Sequence, residues 1–122
     1  MAYSHFTELL VWKKAMQLSK QVYSITNFLP KEELFSLCSQ MKRAAVSIPS
    51  NIAEGSSRNT TKDYINFLSI ARGSNSELWT QLLLCNELQY LTAEQTTEPI
   101  SLCEEISKML NSMIVKLSEM IS

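Results

Sequence analysis

The sequence predicts an all-α protein with the architecture of an up-down-up-down antiparallel four-helix bundle. Only two glycines and three prolines occur among its 122 residues, so long helices joined by short turns are favoured over many small strands. Apolar residues recur at steps of three and four along four successive segments. A chain of this length buries about two thirds of its unfolded surface. We therefore expect one domain over residues 1–122.

The first two helices are predicted from apolar spacing and from the residues that flank it. Thr7 and Glu8 open the first helix, which should end near Phe28. The second helix should begin at Lys31, with acidic residues in its first turn, and continue to about Gly55.

Capping residues predict where the last two helices start. Thr60 or Thr61 can cap the third helix, with Asp63 in its first turn. Thr92 and Gln95 have the spacing of a capping box, which would open the fourth helix.

Three helix-breaking residues lie inside these segments. Pro49 lacks the N–H that would bond to the carbonyl four residues earlier, so we expect a bend there, with Ser47 and Ser50 compensating locally. Pro99 lies early in the fourth helix, in its first turn or at a second bend. Gly73 should allow the backbone of the second helix to approach closely.

The last helix has more apolar surface than one neighbour needs. Its spacing from Cys103 onward alternates threes and fours, as in a coiled-coil seam, through Ile106, Leu110, Met113, Leu117 and Met120. This surplus leaves open whether the methionines complete the bundle core or an interface between subunits.

A polar stripe interrupts the apolar second helix in the segment RAAVSIPSNIAEG, residues 43–55. Four polar side chains follow at steps of four, four and three, which aligns them on one face. Buried charges require partners, so we expect Arg43 or Arg72 to bond Glu54 or Glu77. The predicted structural polar network consists of Arg43, Ser47, Asn51, Glu54, Arg72 and Glu77.

The distribution of charge suggests a second kind of site. Residues 1–72 hold nine Lys and Arg against five Asp and Glu, a net of +4, whereas residues 73–122 hold two against seven, a net of −5. A basic surface could contact phosphates beside Tyr64 or Trp12 as stacking platforms, although pairing of these charges across helices is an equal alternative. The candidate nucleic-acid contacts are Lys13, Lys14, Lys20, Lys42, Arg58 and Lys62.

Signatures of catalysis are missing from the sequence. The single histidine, His5, precedes the first helix, and no Glu-x-x-His pair or glycine-rich phosphate loop occurs. The three cysteines form no metal-ligand pattern and are expected to be reduced core thiols. We predict no enzyme activity, cofactor or metal; a metal site at Glu54 and Glu77 is a weak alternative. Without a leader pattern or an apolar run of about 20 residues, a cytoplasmic location without a membrane partner is expected.

The chain resembles the four-helix-bundle family of 23S rRNA intervening-sequence proteins, which is related to the accessory variability protein of diversity-generating retroelements. The segment RAAVSIPSNIAEG carries this resemblance most strongly. The other resembling positions are residues 6–10, 28–30 and 67–74, with Trp12, Ala15, Tyr23, Glu33, Gln40, Arg58 and Glu77. The resemblance implies a ring of bundles, with a homopentamer favoured, and no known enzymatic activity. It also implies a role with RNA or with a reverse-transcriptase-like partner.

Two hypotheses of function follow. The first is a non-enzymatic oligomeric scaffold that binds structured RNA or a nucleic-acid-processing partner. The alternative is a protein–protein adaptor or structural ring without nucleic-acid binding, which the calculated pI of about 5.8 favours.

Overall fold

The computed structural model describes residues 5–121 and contains four long helices in that range. These are α1 (Leu10–Ile25), α2 (Leu37–Ser56), α3 (Thr61–Glu87) and α4 (Ala93–Ile121). Consecutive helices pack against one another, and α4 also packs against α1. Residues 5–121 contain no strand, so the predicted all-α four-helix bundle is confirmed.

The core lies on the common axis of the bundle. All four helices contribute fully buried side chains, among them Leu18, Val22, Met41, Ile48, Ile52, Leu68, Leu78, Leu82, Ile106 and Leu110. The three cysteines are free and buried, as the sequence predicts. Burial raises the pKa of Cys85 to about 11 and that of Cys103 to about 12, so both thiols stay protonated at neutral pH.

The first helix begins later than the sequence predicts. Phe6–Glu8 forms a separate 3₁₀ helix, in which the imidazole of His5 accepts the N–H of Thr7. Leu9 is then extended, with φ −72° and ψ 127°, which separates this turn from α1. At the other end a second 3₁₀ helix, Thr26–Phe28, continues the chain to the residue where the helix was predicted to end.

The start of α2 was also placed too early, at Lys31. A 3₁₀ helix occupies Lys31–Glu33, and the α-helix begins only at Leu37. The carboxylate of Glu33 explains this because it accepts bonds from Ser36 Oγ at 2.7 Å and from the N–H of Leu37 at 3.4 Å. Its second oxygen accepts the hydroxyl of Tyr90 at 3.0 Å. Glu33 thus caps α2 from outside and ties it to the turn between α3 and α4.

The caps predicted for the last two helices are present. Thr60 Oγ1 accepts the N–H of Asp63 at 3.1 Å, which fixes the start of α3. Thr92 and Gln95 form the reciprocal pair of a capping box at the start of α4, with distances of 2.9 and 3.1 Å.

Helix α2 continues through Pro49, which is buried. The proline leaves the carbonyl of Ala45 without its usual helical donor. Ser19 of α1 supplies a donor from the neighbouring helix: its Oγ lies 2.9 Å from that carbonyl oxygen and 3.0 Å from the carbonyl oxygen of Ala15 in its own helix, so the two acceptors share one hydroxyl proton. The local compensation expected from Ser47 is wrong, because its hydroxyl pairs with Ser74 instead. The bend at Pro49 stays a prediction.

Pro99 lies in the second turn of α4, since that helix begins at Ala93. The first-turn placement is therefore wrong.

The two glycines have opposite surroundings. A Cβ at Gly55 would lie 2.8 Å from the Cβ of Phe67 and 3.0 Å from a ring carbon of Tyr64, so α2 and α3 approach closely here. A Cβ at Gly73 would meet no atom within 4 Å. The close approach predicted at Gly73 is wrong and occurs at Gly55.

Alanine substitutions should therefore change stability in opposite directions. Gly55→Ala should lower the free energy of unfolding by about 1–3 kcal/mol, because the added methyl overpacks the α2–α3 contact. Gly73→Ala should raise it by about 1 kcal/mol, because alanine is the better residue in an open helix position. Urea denaturation measures both, and a stabilising Gly55→Ala would contradict the packing described.

The Glu33 contacts should make stability depend on pH in acid. Hydrogen bonds from Ser36 and then Tyr90 hold the pKa of Glu33 below its ordinary value of 4.5. The unfolded chain then binds a proton before the folded one does, so this contribution is complete above pH 4.5 and is lost as the pH falls through the folded pKa. Urea unfolding between neutral pH and acid should show this loss in the parent protein, a smaller loss in Tyr90→Phe and the smallest in Glu33→Gln. Equal acid sensitivity in all three would contradict the assignment.

Candidate functional site

The inner part of the polar stripe joins α2 to α3. Ser47 Oγ lies 2.8 Å from Ser74 Oγ, across the contact between the two helices. The side-chain amide of Asn51 donates to the carbonyl of Ser47 at 2.8 Å and lies 2.9 Å from its hydroxyl. These half-buried groups satisfy one another and fix how α2 and α3 are aligned.

The charged residues of the predicted polar network do not form the expected pairs. Glu54 bonds Arg58 at 2.8 Å, one turn further along the chain, and Arg72 donates to Asn111 of α4 at 3.0 Å. Within residues 5–121, Arg43 forms no ion pair with Glu77 or with Glu54. The predicted pairing of Arg43 or Arg72 with Glu54 or Glu77 is therefore wrong: Glu54 and Arg72 bond other residues, and Arg43 and Glu77 are exposed to water.

Arg43 and Glu77 instead line a shallow cleft between α2 and α3. Its volume is about 240 Å³, and Gln40, Ser47 and Ser74 line the rest of it. The cleft therefore presents one cation, one carboxylate and two hydroxyls to the surface. Arg43 and Glu77 are the only charged residues of the predicted polar network that have no bonding partner in the described part of the chain.

Two of the six candidate nucleic-acid contacts are already engaged. Lys14 bonds Glu105 of α4 at 2.8 Å, with a side chain only 25% exposed. Arg58 bonds Glu54 and lies 4.7 Å from the centre of the Phe67 ring. Lys62 is exposed in the first turn of α3, away from the other lysines in sequence. Within residues 5–121, Lys13, Lys20, Lys42 and Lys62 therefore remain as the candidates without an ion-pair partner.

The remaining three lysines share the outer surface of α1 and α2. Lys13 and Lys20 are exposed and lie two helical turns apart on α1. Lys42 of α2 places its Nζ 5.0 Å from the centre of the Tyr23 ring, and Tyr23 follows Lys20 by three residues. We call Lys13, Lys20, Tyr23 and Lys42 the basic face.

Tyr23 is the aromatic residue that sequence reasoning missed. It is 48% exposed, whereas the two platforms named from the sequence, Trp12 and Tyr64, are half-buried against the core. The spacing Lys13, Lys20, Tyr23 would have found it, because steps of seven and three keep all three on one side of a helix.

Charges segregate between neighbouring helices. Helix α1 contains three lysines and no acidic residue, whereas α4 contains five glutamates and two lysines. Gln17 and Gln21 of α1 both donate to Glu98 of α4, beside the Lys14–Glu105 pair. Pairing across helices thus removes part of the charge asymmetry, and the basic face lies on the side of α1 that adjoins α2.

The described residues contain no group of three or more His, Cys, Asp and Glu side chains that could hold a metal ion. None of the helices within residues 5–121 is apolar over enough of its length to cross a bilayer.

The 23S rRNA-intervening sequence protein family has a model that matches residues 7–112 of this chain. The chain belongs to this family. The match includes all of α1, α2 and α3 and most of α4 of this intervening-sequence protein. The description of the family names no catalytic activity.

A solved structure supports the same fold. The crystal structure of a protein of unknown function from the S23 ribosomal protein family of Bacteroides thetaiotaomicron VPI-5482 aligns with a TM-score of 0.80 and 29% sequence identity. The alignment covers 86% of this chain and 98% of that one. No curated protein matches this intervening-sequence protein.

Proposed function

We propose that this intervening-sequence protein is a non-enzymatic, self-associating scaffold that binds structured RNA through the basic face. The observation that carries the proposal is the contact of Lys42 with the exposed ring of Tyr23, which Lys20 and Lys13 precede on α1 by three and ten residues. Lysines contact phosphates as point charges, and an aromatic ring beside them can stack on an unpaired base.

The net charge of the chain is compatible with RNA binding through the basic face. The whole chain has a formal charge of −1, but the excess acid lies on α4 and not on α1. A local basic surface attracts a polyanion over about one Debye length, which is about 8 Å at physiological ionic strength. Binding should therefore be modest and strongly dependent on salt.

Self-association is supported by apolar side chains that a monomer leaves in water. Near the end of α4, Met120 is 71% exposed, Val115 is 56% exposed and Ile121 is 54% exposed. These three lie within the last two turns of the helix, and contact with a second molecule would remove their apolar area from water. A homopentameric ring, a reverse-transcriptase-like partner and a cytoplasmic location are further predictions. In the same proposal the Ser47, Asn51 and Ser74 bonds have a structural role in aligning α2 with α3.

Fluorescence anisotropy with a structured RNA at two salt concentrations tests the RNA proposal. The double variant Lys20→Gln, Lys42→Gln should bind more weakly at low salt, and its plot of log affinity against log salt should be shallower by about two units. The matched control Lys31→Gln, Lys116→Gln removes two exposed lysines elsewhere and should leave binding nearly unchanged.

Two results would contradict the proposal. Equal losses in the two double variants would show that the basic face has no special role. Undetectable binding of the parent protein at the lower salt would favour the alternative, a protein–protein adaptor or structural ring without nucleic-acid binding.

A further inference from the structure

One aromatic side chain is almost entirely in water. Phe35 is 91% exposed and the adjacent Leu34 is 51% exposed, in the turn between the 3₁₀ helix Lys31–Glu33 and α2. The Glu33 bonds to Ser36, Leu37 and Tyr90 brace this turn on both sides. Leu34 and Phe35 therefore form a fixed apolar projection, which we call the knob.

An apolar groove lies at the opposite end of the bundle, between the start of α1 and the second half of α4. Its volume is about 450 Å³, and it is lined by the apolar residues Leu9, Leu10, Val11, Met109 and Met113 and by the polar residues Lys108 and Ser112. Unequal helix lengths create it. Helix α4 has 29 residues and α1 has 16, so α4 is longer by roughly 20 Å at 1.5 Å per residue, and its apolar side continues where α1 has not yet begun.

The knob and the groove are complementary in shape and in charge. The groove is wide enough for a large side chain, and methionines adapt well to an aromatic ring. Lys31, Glu32 and Glu33 precede the knob, a net charge of −1, whereas Lys108 lines the groove and Glu8 precedes its first residue. Opposite charges at the edges favour this pairing over contact between two grooves, which would bring two Lys108 side chains together.

A knob cannot reach the groove of its own chain. The groove adjoins the first residues of α1 and the knob follows its last, so the length of α1, roughly 24 Å at 1.5 Å per residue, separates them. A knob can therefore meet a groove only between two molecules, and a second copy of this chain supplies both surfaces.

We propose that the knob of one copy inserts into the α1–α4 groove of the next. This inference rests on the self-association in the proposed function and assigns it to the knob and the groove rather than to the exposed side chains at the end of α4. Because two different surfaces meet, the contact is head-to-tail and produces a ring if the rotation between copies closes, or an open chain if it does not.

Two variants test the contact with little risk to folding. Phe35→Ser removes the knob from an exposed position, and Leu10→Glu places a charge in the groove at a side chain that is 56% exposed. Glutamate is also favourable in the first turn of α1. Each variant alone should be monomeric by light scattering at micromolar concentrations at which the parent protein is oligomeric. Circular dichroism should show both variants folded.

Mixing the two variants gives the sharper result. The knob of Leu10→Glu can enter the groove of Phe35→Ser, so an equimolar mixture should form a heterodimer and nothing larger. The control Ile70→Glu alters a side chain of similar exposure, 51%, outside both surfaces, and should keep the mass of the parent protein.

The possible failures are distinguishable. A monomeric parent protein would overturn self-association altogether. An oligomeric parent whose variants keep its mass would overturn only the knob-and-groove contact. A dimer of Phe35→Ser alone, lost in Leu10→Glu, would show that two grooves pair with each other and would also overturn the proposal.

Discussion

The bond between Ser19 and the carbonyl of Ala45 is the interaction on which the arrangement of α2 depends. Helix α2 packs against both α1 and α3, and it carries the polar stripe on one side. Pro49 would normally interrupt such a helix, because it leaves a buried carbonyl unsatisfied. The hydroxyl of Ser19 removes that penalty from a neighbouring helix, at a distance of 2.9 Å. The helix therefore continues for two further turns, as far as Ser56.

The continuity of α2 has consequences on both sides. Toward α3, it keeps Ser47 and Asn51 on one face, where Ser47 meets Ser74, and it places Gly55 against Phe67. Toward α1, the Ser19 bond joins the two helices on the side where Lys42 contacts Tyr23. Without the residues after Pro49 in helical register, the close contact at Gly55 would be lost.

The sequence predicted those contacts whose two partners lie close together in the chain. The cap at Thr60 and the capping box at Thr92 involve residues three apart, so their spacing alone predicted them. The start of α2 could not be predicted in this way, because the Glu33 carboxylate is also held by Tyr90, 57 residues away. Ser19 was missed for the same reason, since its partner lies on another helix.

The same difference between near and distant partners in the sequence separates the candidate site residues that were predicted from those that were not. Asn51 and Ser47 bond as neighbours at a step of four, which the polar stripe indicated. Arg72 reaches Asn111 of α4, and a residue so distant in sequence could not be chosen over Glu54 or Glu77 without the fold. Asn75 was missed although it lies between Ala71 and Leu78 at core spacing; it is fully buried and donates to the carbonyl of Cys103 at 2.8 Å.

The most direct test of the central claim is a double-mutant cycle on Ser19 and Pro49, measured as free energies of unfolding in urea. In the parent protein, Ser19→Ala should lower stability by about 1–3 kcal/mol, because the Ala45 carbonyl loses its donor. In Pro49→Ala the backbone N–H at position 49 can serve that carbonyl, so Ser19→Ala should lower stability by much less. The predicted coupling is about 1 kcal/mol or more. An equal loss in both backgrounds would show that Ser19 does not compensate for the proline.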